Sequence, residues 1–246
     1  MMLETTLTKL GQMRLSGMAE ALIEQSQGVM YSELSFEERL GMLIDREMTA
    51  RDNRRLTNLL RGAKLRYSHA CPEEIDFRTP RGLSKDIILS LIQNGWVKGK
   101  QNVIITGPTG TGKTFIACAL ANSACRNGYS AHYLRLPRLL QEMNIARGDG
   151  SYGKLLTRLA KYDLLIIDDW GLAKLNDQER RDMLEVIEDR HGITSTTISS
   201  QIPTEKWYDI IGDPTIADAV LDRLIHNAHI ITMKGESMRK LLSKIK

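Results

Sequence analysis

Cysteine is scarce in this 246-residue chain: there are three, Cys71, Cys118 and Cys125, and no C-x-x-C pair. An odd count without ligand spacing excludes a disulfide framework and a cysteine-built metal site, and fits a reducing compartment. Long apolar runs are missing too. No stretch approaches the ~20 residues that a membrane-spanning helix needs. The first residues, with Glu4 among polar neighbours, lack the basic-then-apolar pattern of a secretory signal. The expected location is therefore the cytoplasm, away from any membrane. Internal repeats and low-complexity segments are absent, and His226 and His229 find no third ligand at metal spacing. Neither charge sign dominates: 34 Lys and Arg against 30 Asp and Glu leave a net charge of +4. That mild basicity permits a nucleic-acid partner without requiring one.

Against these absences one stretch stands out. Gly107-Pro108-Thr109-Gly110-Thr111-Gly112-Lys113-Thr114 fits the phosphate-loop pattern G-x-x-x-x-G-K-S/T at every fixed position. It follows the apolar β-branched run Asn102 to Thr106 and precedes the helical run Phe115 to Ala121, the strand–loop–helix setting that gives the pattern its mechanism. Glycines let backbone N–H groups curl around phosphate oxygens, and the helix N-terminus adds partial positive charge. Lys113 is expected to reach the β- and γ-phosphates and Thr114 to ligate Mg²⁺. The expected ligand is a nucleoside triphosphate.

A second element answers the first. Leu164 to Ile167 followed by Asp168-Asp169 places acids at the carboxyl end of a buried strand, beside the phosphate loop. Asp168 is the expected Mg²⁺ holder, and Asp169 stands where a carboxylate would orient the attacking water. The next strand ends in Ser199-Ser200-Gln201; Gln201 is the first candidate to contact water or γ-phosphate and Ser200 the second. Arg223 and Arg239 are candidate cations for the phosphoryl oxygens, although each also reads as an ordinary surface arginine.

Strands expected at 102–106, 130–136, 163–169, 193–199 and 229–233 alternate with helices, which predicts an α/β fold with a parallel, doubly wound sheet. Asp177 is read as the cap of the helix after the third strand, and a last helix closes the chain. Residues 1–66 read as an all-helical domain, 67–82 as a linker broken by Ser68, Pro72, Pro80 and Gly82, and 83–246 as the nucleotide-binding core. Ser35 with Glu38 forms a capping-box pattern. The helix it opens carries Phe36, Leu40, Leu43, Ile44 and Met48 on one face, and no glycine or proline interrupts 42–61. From Arg46 to Arg66, seven basic residues (Arg46, Arg51, Arg54, Arg55, Arg61, Lys64, Arg66) face two acids (Glu47, Asp52). Arginine forks match phosphate oxygens, so Arg51, Arg54, Arg55 and Arg61 are candidate contacts to a DNA backbone; a solvated helix face is the competing explanation. No aromatics interleave, so base stacking is not suggested there.

Together these blocks resemble the IstB-like transposition-helper ATPases encoded beside the transposase of bacterial insertion sequences, relatives of the helicase-loader ATPases in the AAA+ superfamily. The resemblance covers essentially the whole chain. It is carried by Gly107–Thr114, by Leu165 to Gly171, by Gly212-Asp213-Pro214-Thr215-Ile216-Ala217-Asp218-Ala219, by Leu221-Asp222-Arg223-Leu224-Ile225-His226-Asn227-Ala228 and by Gly235-Glu236-Ser237-Met238-Arg239. Arg14-Leu15-Ser16-Gly17-Met18-Ala19 and Glu37-Glu38-Arg39-Leu40 extend it. The resemblance implies an AAA+ P-loop core with sheet order 5-1-4-3-2 and a small helical N-terminal domain. It further implies ATP and Mg²⁺ as cofactors, ATP-driven self-assembly on duplex DNA, bending of that DNA, and a cognate transposase as partner. By position, Arg223 would act on a neighbouring subunit's ATP and Arg239 would sense the nucleotide in cis; Gln201 replaces the asparagine common in relatives. A helicase loader has the same core and is the nearest alternative. An architectural DNA binder using ATP only as a switch, and a small-molecule kinase, are the others.

Overall fold

The β-branched runs from Asn102 onward pair into a single parallel sheet, while the described residues before them form helices and loops. The structure, a computed structural model, describes residues 2–238 and residue 240; Arg239 and the greater part of the expected last helix lie outside the described residues. Two compact units divide the chain, Met1–Asn58 and Leu59–Lys246.

In the first unit α1 (Met2–Gln12) and α2 (Ser16–Gln27) precede the long α3 (Phe36–Ala63), which runs on into the second unit. The Ser35 capping box forms as its sequence implies: Ser35 N donates to Glu38 Oε2 at 2.8 Å and Glu38 N to Ser35 Oγ at 3.2 Å. The apolar face of α3 is not a core face here. Phe36, Leu40, Ile44 and Met48 are all exposed, because so small a unit has little to cover them with. Among its described residues only Gly17, Ala21 and Glu47 are buried. Gly17 lets α2 approach α3 closely: a Cβ there would sit 2.8 Å from Arg46 O and 2.9 Å from Glu47 Cα. The buried Glu47 carboxylate then caps α2, accepting from Gly17 N at 2.8 Å and Met18 N at 3.3 Å, and from Arg51 Nε at 2.8 Å and Arg54 Nη2 at 3.1 Å.

Chiefly the Arg51 hydrogen bond, helped by the two amides and opposed by desolvation, holds the Glu47 pKa below the ordinary glutamate value of 4.5. A depressed carboxylate pKa adds stability that is complete above the unfolded value and is lost as pH falls through the folded one. Between about pH 5 and pH 3 the wild-type chain should therefore lose more helical stability than Glu47→Gln, measured by circular-dichroism melting. Parallel losses would show that Glu47 adds no pH-dependent stability.

In the second unit α4 (Lys85–Ile92) and α5 (Gly95–Lys98) lead into β1 (Asn102–Thr106). α4 and α5 are separate elements because Asn94, between them, takes the left-handed conformation, at φ 59°. Then follow α6 (Lys113–Arg126), β2 (Ala131–Arg135), α7 (Leu136–Gly148), α8 (Tyr152–Ala160), β3 (Leu164–Trp170), α9 (Asp177–Glu188), β4 (Ser195–Ser200), α10 (Trp207–Ile211), α11 (Pro214–Ile225) and β5 (Ala228–Thr232). The strand order is β2-β3-β4-β1-β5, all parallel, which is the expected 5-1-4-3-2. Helices cover both faces, so Val103 to Ile105 and Leu164 to Ile167 are fully buried, as the continuous apolar runs of a parallel sheet require. Asp177 does not cap α9. Asn176 does, accepting from Gln178 N and Glu179 N in a reciprocal box with Glu179. Asp177 is the first helical residue, where its charge suits the helix dipole. Among the described residues no helix is long and apolar enough to cross a membrane.

Candidate nucleotide site

The sheet order determines where the chemistry gathers. β4 lies between β1 and β3, so the loop leaving β1 and the acids ending β3 open onto one crevice at the carboxyl edge, floored by the end of β4. The crevice is a cavity of about 790 Å³, and Lys113, Thr114, Asp168, Asp169 and Gln201 all line it.

Gly107, Gly110 and Gly112 hold φ values of 142°, 85° and 98°. At Gly112 the need is specific, since a Cβ would meet Arg81 Nη1 at 2.6 Å. Arg81 is buried under the loop, donating to Thr111 O at 3.0 Å and Asp76 O at 2.6 Å. Desolvation lowers its pKa, opposed by the nearby Asp76 charge. Lys113 Nζ donates to Pro108 O at 2.9 Å, curling over the loop it follows. Thr111 is fully buried, and Thr109 Oγ1 donates to Gln201 Oε1 at 2.6 Å.

Asp168 is buried and takes four donors. Oδ2 accepts from Thr114 Oγ1 at 2.9 Å and from the Tyr133 hydroxyl at 2.7 Å. Oδ1 accepts from Asp169 N at 3.0 Å and from Ser199 Oγ. In a regular strand neighbouring side chains point to opposite faces. Here β3 shifts register against β4 between Ile167 and Trp170, and Asp169 sits at φ 61°. This bulge turns both carboxylates into the same cavity. Asp169 is held by Arg135, whose Nε donates to Asp169 Oδ2 at 2.5 Å.

These residues suit a metal-bound triphosphate. Among the described residues no group of three or more His, Cys, Asp and Glu could hold a metal ion. Instead one hydroxyl (Thr114) and one carboxylate (Asp168) face a glycine-lined cradle, the donor set of a hard cation that takes its remaining ligands from phosphate oxygens and water.

Of the other expected residues, Gln201 and Ser200 both line the cavity; the Ser200 hydroxyl also donates to Trp170 O at 2.8 Å and accepts from Ile202 N at 3.0 Å, binding strand ends together. Arg223, in the last turn of α11, is not among the cavity-lining residues; it pairs with Glu188 and donates to Ala219 O at 2.9 Å. In the first unit, Arg51 and Arg54 serve Glu47 while remaining about half exposed. Arg55 and Arg61 lie exposed along α3. Sequence reasoning missed Arg66, Tyr67, His69, Arg81 and Phe115 of the cavity wall, and Tyr133 and Ser199 on Asp168. Phe115 alone carried a signal, by adjoining the phosphate loop. Tyr67, His69 and Phe115 form an aromatic group with ring centroids 6.1 Å apart.

The IstB-like ATP binding protein family matches residues 8–245. The chain belongs to that family. It is 48% identical over 240 residues to the putative insertion sequence ATP-binding protein y4pL of Sinorhizobium fredii, covering 98% of each chain. It is 52% identical over 204 residues to the putative ATP-binding protein of insertion sequence IS1162 of Pseudomonas fluorescens, covering 83% of this chain and 88% of that one. Among solved structures, the DnaC helicase loader superposes with a TM-score of 0.56 at 17% identity, over 67% of this chain and 97% of that one. AMPPCP-bound DnaA from Aquifex aeolicus superposes with a TM-score of 0.57 at 18% identity, over 70% and 52%. At such identities the likeness is one of fold: a five-stranded parallel sheet flanked by helices.

Proposed function

We propose that this family member is a Mg²⁺-dependent ATPase that helps a transposase by assembling on duplex DNA and bending it. The observation that carries the ATPase reading is the meeting of Thr114, Asp168 and the phosphate loop in one cavity, with Thr114 Oγ1 2.9 Å from Asp168 Oδ2. The loop amides and Lys113 would neutralise the phosphates, and the aromatic group of Tyr67, His69 and Phe115 offers π-faces to the base. Mg²⁺, held through Thr114 and Asp168, would supply charge stabilisation at the β- and γ-oxygens. Asp169, aligned by Arg135, would accept a hydrogen bond from the attacking water, and Gln201 would hold the far side of the γ-phosphate. Relatives encoded by insertion sequences support the link to transposition.

Arg223 stands apart from its own chain's cavity, which suits action on a second subunit's ATP and makes ATP a joint between subunits. Residues 1–66 would carry the DNA- and partner-facing surface, with Arg51, Arg54, Arg55 and Arg61 along the phosphates; 67–82 would link them to the ATPase core of 83–246. Arg239, the expected cis sensor, belongs to the same proposal.

The test is sedimentation and DNA-stimulated ATP turnover of the wild type, Arg223→Ala and Asp169→Asn. Arg223→Ala should bind ATP as the wild type does but fail to assemble on DNA with ATP. Asp169→Asn should assemble and turn over at least about 100-fold more slowly. Wild-type assembly by Arg223→Ala would refute the intersubunit site, and undiminished turnover by Asp169→Asn would refute its catalytic role.

A further inference from the structure

Phenylalanine would fill the place of Tyr133 in β2 as well as tyrosine does, were it not for the hydroxyl. Tyr133 is only 8% exposed, and a buried hydroxyl is costly unless it is paired. It is paired. It donates to Asp168 Oδ2 at 2.7 Å, and the Arg66 side chain, which lines the same cavity as Asp168, stands beside it.

Arg66 is brought here by the backbone before it. The fully buried Ala63 ends α3, and Lys64 reverses the chain at φ 49°. Gly62 O lies 3.2 Å from Nδ1 of His132, the neighbour of Tyr133 on β2. Two successive β2 residues thus receive the backbone of residue 62 and the side chain of residue 66. The Asp168 carboxylate is consequently fixed in plane. Oδ1 is committed to Ser199 and to the Asp169 amide, and Oδ2 is shared between Tyr133 and Thr114. Without the Tyr133 hydroxyl, Oδ2 would keep only Thr114, the very group that must also face a cation.

We propose that Arg66 and Tyr133 are positioning residues of the metal–triphosphate site: Arg66 orients the Tyr133 hydroxyl, and that hydroxyl holds Asp168 in the rotamer that can serve a cation beside Thr114. Neither needs to touch the nucleotide. This assignment rests on the ATP-binding reading, and it distinguishes Arg66 from Arg51, Arg54, Arg55 and Arg61, whose proposed partner is DNA. Partners behind a metal ligand typically change metal affinity by about 10–100-fold when removed.

The experiment uses the full chain with a non-hydrolysable ATP analogue. Mn²⁺ binding to the protein–analogue complex is followed by electron paramagnetic resonance, and analogue binding is measured separately in EDTA. Tyr133→Phe should weaken Mn²⁺ binding about tenfold while analogue affinity in EDTA stays unchanged. Arg66→Ala should act in the same direction, and Arg66→Lys should restore part of the loss. The double variant should be no weaker than Tyr133→Phe alone, because the two act in series. Unchanged Mn²⁺ affinity in Tyr133→Phe, or an equal loss of analogue affinity in EDTA, would overturn the proposal. Additive losses would show that Arg66 acts directly and would overturn its positioning role. Should Tyr133→Phe fail to fold, the exposed Arg66 pair of variants decides alone. A wild type that binds no analogue at all would instead refute the ATP-binding reading.

Discussion

Lys113→Ala should lower ATP turnover by at least about 100-fold, the scale set by removing one preorganised donor from a developing phosphoryl charge. Its ammonium lies at the first turn of α6 and curls over Pro108 O, inside the loop whose three glycines hold positive φ. That placement puts a compact charge where β- and γ-oxygens would lie, and no neighbouring side chain can take it over. Arg81 is bound to Thr111 O and Asp76 O beneath the loop. Lys113→Arg should rescue little, since a planar fork does not fit where a point charge fits. Turnover, analogue binding and thermal melting together check this. Loss of turnover with unchanged melting is the expected result, and turnover within a few-fold of the wild type would remove Lys113 from the mechanism.

Arg190→Met should be the most damaging change to the fold, with a loss of about 3–5 kcal/mol. Arg190 is 2% exposed. Its guanidinium donates to Leu159 O at 2.6 Å, Tyr162 O at 3.0 Å, Thr196 Oγ1 at 3.1 Å and Ser195 O. It thereby closes the end of α8 and ties that turn to the start of β4, satisfying carbonyls that a helix terminus leaves open. Burial pushes its pKa down to about 9, still high enough to keep the charge at neutral pH. Methionine would fill much of the volume and leave those acceptors without donors. The melting temperature should fall by on the order of 10 °C. The exposed Arg181→Met, nine positions earlier and within α9, should change stability by less than about 0.5 kcal/mol. Equal effects at the two positions would show that the buried network contributes nothing.

Arg181 and Arg190 look alike in the sequence, and so do Arg66 and Arg61, which marks the limit of reading a chain residue by residue. The phosphate loop was legible because its geometry is local: glycines, lysine and threonine act within a single strand–loop–helix turn. The strands of the sheet were legible within one or two residues, since burial on both faces demands continuous apolar runs. Asp168 followed from its place at the end of such a run. The family resemblance, argued from the blocks around Arg223 and confirmed for residues 8–245, supplied the strand order that periodicity cannot give.

The partners of Asp168 were not legible. Tyr133 reaches it only because β2 lies beside β3 with Arg135 opposite Asp168, and Ser199 only because β4 lies on the other side. Nothing in the run Ala131 to Arg135 announces a polar contact. Asp169 would alternate away from Asp168 in a regular strand; its left-handed backbone is a product of the bulge. Asn176, rather than Asp177, caps α9 because the chain enters the helix one residue earlier than charge alone suggests. The apolar face of α3 reads from its period as a core face, yet Phe36, Leu40, Ile44 and Met48 stay exposed because burial needs an opposing surface, which periodicity does not supply. Local backbone chemistry is thus written in neighbouring residues, and the chain alone determined the phosphate cradle and the acid that faces it. Which side chains fix that acid depends on contacts between residues far apart in sequence, and those the tertiary structure decided.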